Sequence, residues 1–320
     1  MFSVDQYNAA HNSAVIVDRS SDGTVAITGT DRASFLHALL TNDIAQLPMG
    51  RGVYAAYLTP QGRMITDMRV VETGNRMLLN VAREVAAPLA ERFDKLIFSE
   101  DVNARDATTD LAIIGVHGPS AARMIQQATG TSVADVADQY DNVTTEWMTA
   151  VRDDVLGVAG YDVYVPVGDA EAMRAKLVDA GAVIASDETA ETLRIEAGRP
   201  RFGVDMSTET IPLEAGLEDR AISFSKGCYV GQEVIIRVMH RGHGRVARRL
   251  VSIVLTSGAV PSRGDRIQSA DRTVGEITSA AASPRHGAPL ALGYVQRDHA
   301  APGTELTVNG LQARVYQTVN

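Results

Sequence analysis

The hydrophobic pattern of this 320-residue chain changes once, near Gly242, and that change restricts the folds open to it. Upstream, short strand-like runs alternate with amphipathic helical stretches. Downstream, short apolar runs are punctuated by Gly and Pro and carry no helical period. The first part opens with a strand at 25–29 and a helix that Asp31 is placed to cap, with Phe35, Leu36, Leu39 and Leu40 on one face. Strand-like runs at 53–58, 64–71 and 77–81 are separated by the turn signals Pro60-Gln61-Gly62 and Gly74-Asn75. A helix at 84–96 and a strand near Val102 complete a β-β-β-α-β unit. A second mixed region follows, with strand 111–116, helix 120–128, strands 145–152 and 161–167, and helices 170–180 and 188–197. Past the change, runs at 250–255, 274–277, 290–295 and 305–308 read as strands of a small all-β barrel.

A chain of this length holds more than one hydrophobic core. A formal net charge of -9 excludes a general nucleic-acid binder. The single cysteine excludes an intramolecular disulfide and fits a reducing compartment. It also excludes an iron–sulfur cluster held by the cysteines of one copy, which needs several thiolates. The first residues lack the basic segment and apolar run of a signal peptide, and no apolar stretch is long enough to span a bilayer. The expected location is the cytoplasm, with no membrane partner.

That cysteine, Cys228, lies in the segment Lys226-Gly227-Cys228-Tyr229-Val230-Gly231-Gln232-Glu233. A nearby ammonium and a helix start both favour the thiolate, whereas a free cysteine is also often a small buried hydrophobe. From 226 to 249 the chain carries Lys226, Arg237, Arg241, Arg245, Arg248 and Arg249 against Glu233, with His240 and His243 beside them. Such an excess in an acidic protein faces an anion, or forms a solvated rim paired with acidic residues elsewhere. Asp67 and Asn80, a carboxylate and a carboxamide on strands of one unit, suit a heteroaromatic ring rich in donors and acceptors. Trp147 is expected in the core. No phosphate loop, dinucleotide fingerprint or nucleophile elbow occurs, and no spaced set of metal ligands.

Several stretches together resemble glycine-cleavage aminomethyltransferases. They are Leu40-Thr41-Asn42-Asp43-Ile44, the runs 50–58 and 62–67, Arg194-Ile195-Glu196-Ala197-Gly198-Arg199, and Pro212-Leu213-Glu214-Ala215-Gly216-Leu217. The segment from Lys226 to Glu233 is similar to the signature of one branch, the YgfZ family of folate-binding proteins tied to iron–sulfur cluster maintenance and tRNA modification. The resemblance implies an α+β fold: a three-domain ring around a central channel, with two mixed α/β (ferredoxin-like) domains and a small C-terminal all-β barrel. Residues 1–47 and 110–220 then form a discontinuous folate-binding domain and 48–109 an inserted β-β-β-α-β domain. A bridge at 221–244 carries the K-G-C-Y-V-G-Q-E motif, and 245–320 form the barrel.

The resemblance also implies tetrahydrofolate or a derivative in the channel, contacted by Asp67 and Asn80, with Glu196 and Arg199 in the channel wall. Where aminomethyltransferases carry a pterin-reading glutamate, this chain has Val158 in Gly157-Val158-Ala159-Gly160-Tyr161-Asp162. Losing that charged acceptor costs on the order of 1.5–3 kcal/mol if nothing replaces it. Valine at that position and Cys228 point to the YgfZ branch. The expected function is therefore a folate-binding accessory protein that supports iron–sulfur cluster assembly or repair, with Cys228 as its reactive thiol. Its partners would be iron–sulfur proteins or assembly factors and RNA-linked clients. The alternative is a tetrahydrofolate-dependent aminomethyltransferase, with Asp67 assisting proton movement at the folate nitrogen.

Overall fold

Strands that are apolar on both faces need a sheet covered on both sides, and several strands of the first half have that character. The computed structural model describes residues 1–136, 138–240 and 244–319. It divides into two units: Met1–Ala55 with Asp67–Ala190 and Ser225–Gly227, and Ala56–Thr66 with Glu191–Phe224 and Cys228–Asn320.

In the first unit, a six-stranded sheet has the order Val183–Ile184, Val15–Asp18, Leu111–His117, Gly160–Pro166, Thr149–Arg152, Asn142–Thr144. On one face, Ile114, Val116 and Val163 pack with Met124 and Ile125 of the helix Ala121–Thr129 and with Met173 and Leu177 of the helix Ala170–Asp179. The opposite face carries Ile113, Val151 and Tyr164, which meet Ala26, Val71 and Leu78 of a second sheet. That sheet has five strands in the order Gly52–Leu58, Met64–Glu72, Met77–Ala82, Asp22–Thr28, Asn103–Asp106. Full burial of each such aliphatic side chain stabilises by roughly 1.5–3 kcal/mol, so the strand alternation feeds two cores at once. The strand Asp22–Thr28, which the expected boundaries group with 1–47, is hydrogen-bonded into the same sheet as Met77–Ala82.

The second unit contains a closed barrel of Arg248–Leu255, Ala288–Gln296, Arg272–Ser283, Arg266–Ser269, Glu305–Val308 and Leu311–Thr318. Val251, Ile253, Ile277, Val295, Leu306 and Val315 fill its interior. On the outside, Ile195 packs on Leu250, Leu292 and Tyr294. A register shift between Ile277 and Ser279 turns two successive hydroxyls, Thr278 and Ser279, onto Asp205 Oδ1 at 2.6 and 2.7 Å. The other oxygen of Asp205 accepts from Arg194 at 2.8 Å, so a buried charge pair pins the bulge.

The α+β architecture with a C-terminal barrel is as expected. Trp147 is a correction: it is 39% exposed, on the turn between Asn142–Thr144 and Thr149–Arg152, so the strand expected from 145 begins only at Thr149. Among the described residues, no helix is long and apolar enough to cross a membrane, and no group of three or more His, Cys, Asp or Glu could hold a metal ion.

Candidate functional site

Alternation along Met64–Glu72 buries Met64, Thr66, Met68 and Val70 and leaves Ile65, Asp67 and Arg69 half-buried on the opposite face. Asp67 Oδ2 accepts a 2.5 Å hydrogen bond from the hydroxyl of Tyr54 on Gly52–Leu58. The Tyr54 carbonyl in turn accepts from Asn42 Nδ2 at 2.8 Å, and its ring stacks on Tyr140, with centroids 6.1 Å apart at 29°. Burial pushes the Asp67 carboxyl above its usual range, while the Tyr54 hydrogen bond and the Arg69 charge pull it back. The result is a carboxyl whose two protonation states lie closer to balance than on an open surface.

Two residues along the same face, Arg69 stands opposite Asn80 in the strand register, and its guanidinium donates to Asn80 Oδ1 at 2.6 Å. Asn80 Nδ2 donates to the Gly23 carbonyl, 3.5 Å away. Asn80, the buried carboxamide expected to touch folate, is hydrogen-bonded to Arg69 on the neighbouring strand. Arg69 also reaches Asp153 at 3.1 Å, Asp162 at 3.4 Å and Asp22 at 3.7 Å, and Arg19 binds Asp22 at 2.8 Å and Asp162 at 3.1 Å. Burial holds Asp162 above the ordinary carboxylate range despite the Arg19 charge. His117, fully buried 3.9 Å from Asp162, is pushed by burial down to about 3. It is a neutral imidazole.

The sequence reading missed Tyr54, Arg69, Tyr140 and His117. The signal for Arg69 was present, since i and i+2 on a strand share a face. The loop residue Tyr140 gave none.

The K-G-C-Y-V-G-Q-E segment is occupied largely by architecture. The Lys226 ammonium donates to the carbonyls of His37, Leu40 and Asn42 at 2.5, 2.6 and 3.1 Å, closing the end of the helix Arg32–Leu39. Burial pushes Lys226 down to about 8. Gly231 has φ +84°, and a Cβ there would lie 2.5 Å from the Thr59 carbonyl oxygen, so the hairpin turn at Thr59–Gly62 needs a glycine beneath it. Tyr229 is buried, and the helix Gln232–His240 begins with Gln232 and the exposed Glu233, an acidic first turn. Gly227 and Cys228 are exposed, which removes the reading of Cys228 as a buried hydrophobe.

Arg237 and Arg245 are exposed as well, while Arg241 and His243 lie outside the described residues. Arg248 and Arg249 are paired, with Glu214 at 3.1 Å and Glu218 at 3.2 Å. In the second unit, Glu196 accepts a short hydrogen bond from Ser283 and one from the Arg285 N–H at 3.2 Å, bracing a barrel hairpin. The Arg199 carbonyl accepts from the Arg194 guanidinium.

A six-stranded sheet with one parallel edge pair and a five-stranded sheet, followed by a closed barrel, define a class that the comparisons name. The GCVT N-terminal domain matches residues 2–226 and the glycine cleavage T-protein C-terminal barrel domain matches 248–319. The chain belongs to the glycine cleavage T-protein family. It is 30% identical over 310 residues to an aminomethyltransferase of Streptomyces avermitilis, covering 94% of this chain and 83% of that one. To an aminomethyltransferase of Saccharopolyspora erythraea it is 30% identical over 318 residues, covering 95% and 84%. The fold matches the crystal structure of the glycine cleavage system aminomethyltransferase T from Bartonella henselae, with a TM-score of 0.89 at 21% identity, over 98% of this chain and 88% of that chain.

These findings correct the expected function. Relatives spanning nearly the whole chain are aminomethyltransferases, and none of these matches carries the YgfZ branch, iron–sulfur clusters or tRNA modification. The accessory role built on Cys228 as a reactive thiol is overturned in favour of the transferase alternative. The Lys226 ammonium donates to three carbonyls at the end of the helix Arg32–Leu39.

Proposed function

We propose that the chain is a tetrahydrofolate-dependent aminomethyltransferase in which Asp67 moves the proton at the folate nitrogen that carries the one-carbon unit. The observation that carries this reading is the hydrogen bond from Tyr54 to a half-buried Asp67. A general acid–base carboxyl works best when burial raises its proton affinity toward the working pH and a fixed donor orients it. The donor set also suits a folate. The half-buried carboxyl can give or accept a proton, and the Tyr54 hydroxyl orients it. Tetrahydrofolate supplies the nitrogen that takes up or releases the one-carbon unit. Asp67 exchanges the proton of that nitrogen, Tyr54 fixes the carboxyl, and Arg69 with Asn80 holds the same face rigid.

Purified protein incubated with methylenetetrahydrofolate and candidate amines tests the reading. Asp67→Asn is expected to lower turnover by about 10²–10⁴-fold, and Cys228→Ala to leave it within twofold of the unaltered protein. Loss with Cys228→Ala and retention with Asp67→Asn would reverse the assignment.

A further inference from the structure

Tyr140 has φ 69°, in the left-handed region that residues with a bulky side chain rarely enter. Such a backbone persists only where its surroundings over-determine it, and these positions cluster at functional sites. The surroundings here are explicit. Tyr140 N–H donates to the Arg152 carbonyl at 2.8 Å, and Arg152 N–H donates to the Asp141 carbonyl at 2.7 Å. Arg51 grips Asp141 at 2.5 Å and Asp138 at 3.0 Å, and Asn142 N–H donates to the Gly50 carbonyl at 2.8 Å. The loop is pressed so tightly onto this strand that a Cβ at Gly52 would lie 2.2 Å from the Tyr140 carbonyl oxygen. What the clamp fixes is a buried ring, stacked on the tyrosine that donates to Asp67.

We propose that Tyr140 is a positioning residue for Asp67: locked in the left-handed conformation, its ring holds Tyr54 so that the Tyr54 hydroxyl stays on Asp67 Oδ2. The proposal rests on the reading of Asp67 as the proton-handling group and adds the residue that sets its state. The Tyr54 donor favours the ionised carboxyl and burial opposes it, so a Tyr54 ring free to swing away leaves burial less opposed.

A carboxyl-carbon NMR titration of Asp67 in the full chain, without folate, tests this directly. Tyr140→Asn accepts the left-handed backbone and lacks the ring. It is expected to raise the proton affinity of Asp67 by about tenfold, as Tyr54→Phe does. The double variant should go no further than Tyr54→Phe alone, because Tyr140 acts through Tyr54. Tyr140→Phe, which keeps the ring, should shift the titration less than Tyr140→Asn does. A folded Tyr140→Asn protein with unaltered Asp67 titration overturns the proposal, and so does a double variant in which the two shifts add. If Tyr140→Asn does not fold, Tyr140→Leu carries the same comparison. The titration needs no turnover, so an active Asp67→Asn enzyme would overturn the proposed reaction and leave this result standing.

Discussion

The Lys226 ammonium donates to three carbonyl oxygens, that of His37 in the helix Arg32–Leu39 and those of Leu40 and Asn42 after it. Removing the donor while keeping the stem isolates that contribution. Lys226→Met is expected to lower the unfolding free energy by about 2 kcal/mol, since buried acceptors lose a charged partner. Urea unfolding of the two proteins reads the difference, and an unchanged midpoint would show that solvent replaces the ammonium. At this scale the sequence was partly legible. The strand position of Asp67 was recognisable, because it follows from local alternation. The meaning of Lys226 was not, since its nearest sequence neighbour of interest was Cys228 while its true partners lie 184 to 189 residues away. Asn80 was found as a residue, yet its partner Arg69 was not, and the register between two strands decides that pairing.

Among the elements, the hairpin turn at Thr59–Gly62 and the turn before the helix Gln232–His240 fit by glycine against glycine. Gly231 at φ +84° lies under Thr59, and a Cβ on Gly62, at φ +75°, would come 2.8 Å from the Val234 side chain. Gly231→Ala combines a left-handed alanine with a backbone clash. The expected loss is about 2–4 kcal/mol, seen as a lower melting midpoint, and a neutral outcome would mean the turn relaxes freely. Elements with strong periodicity were legible to within a few residues: the strand expected at 77–81 is Met77–Ala82, and the helix expected at 170–180 is Ala170–Asp179. Missing from the sequence reading were Arg266–Ser269 and Leu311–Thr318, two barrel strands. Their outward positions are polar and their inward residues few, so no run of apolar residues announces them. Loop 138–142 was illegible for a different reason: its conformation is set by Arg51 and Gly52, far away in sequence.

For the molecule as a whole, the buried charges of the first unit set a pH dependence. His117 is neutral when folded, with a pKa of about 3, and titrates near 6.5 when unfolded. The unfolded chain therefore binds more protons between those values, and the His117 contribution to stability falls as pH drops through that window, by about 2 kcal/mol at pH 5. Asp162 acts in the opposite sense. Its folded carboxyl holds its proton to higher pH than the unfolded one, so its contribution falls as pH rises through that interval. Urea midpoints of the unaltered protein and His117→Gln should draw together between pH 7 and pH 5, and parallel decline would place the acid sensitivity elsewhere. The Lys226 contacts add a consequence in time. During synthesis, the helix Arg32–Leu39 leaves the ribosome long before its closing ammonium exists, because 186 residues separate Leu40 from Lys226. The first unit also includes Ser225–Gly227. Its amino-terminal portion must wait, with a helix end still bound to water, until about two-thirds of the chain has been translated.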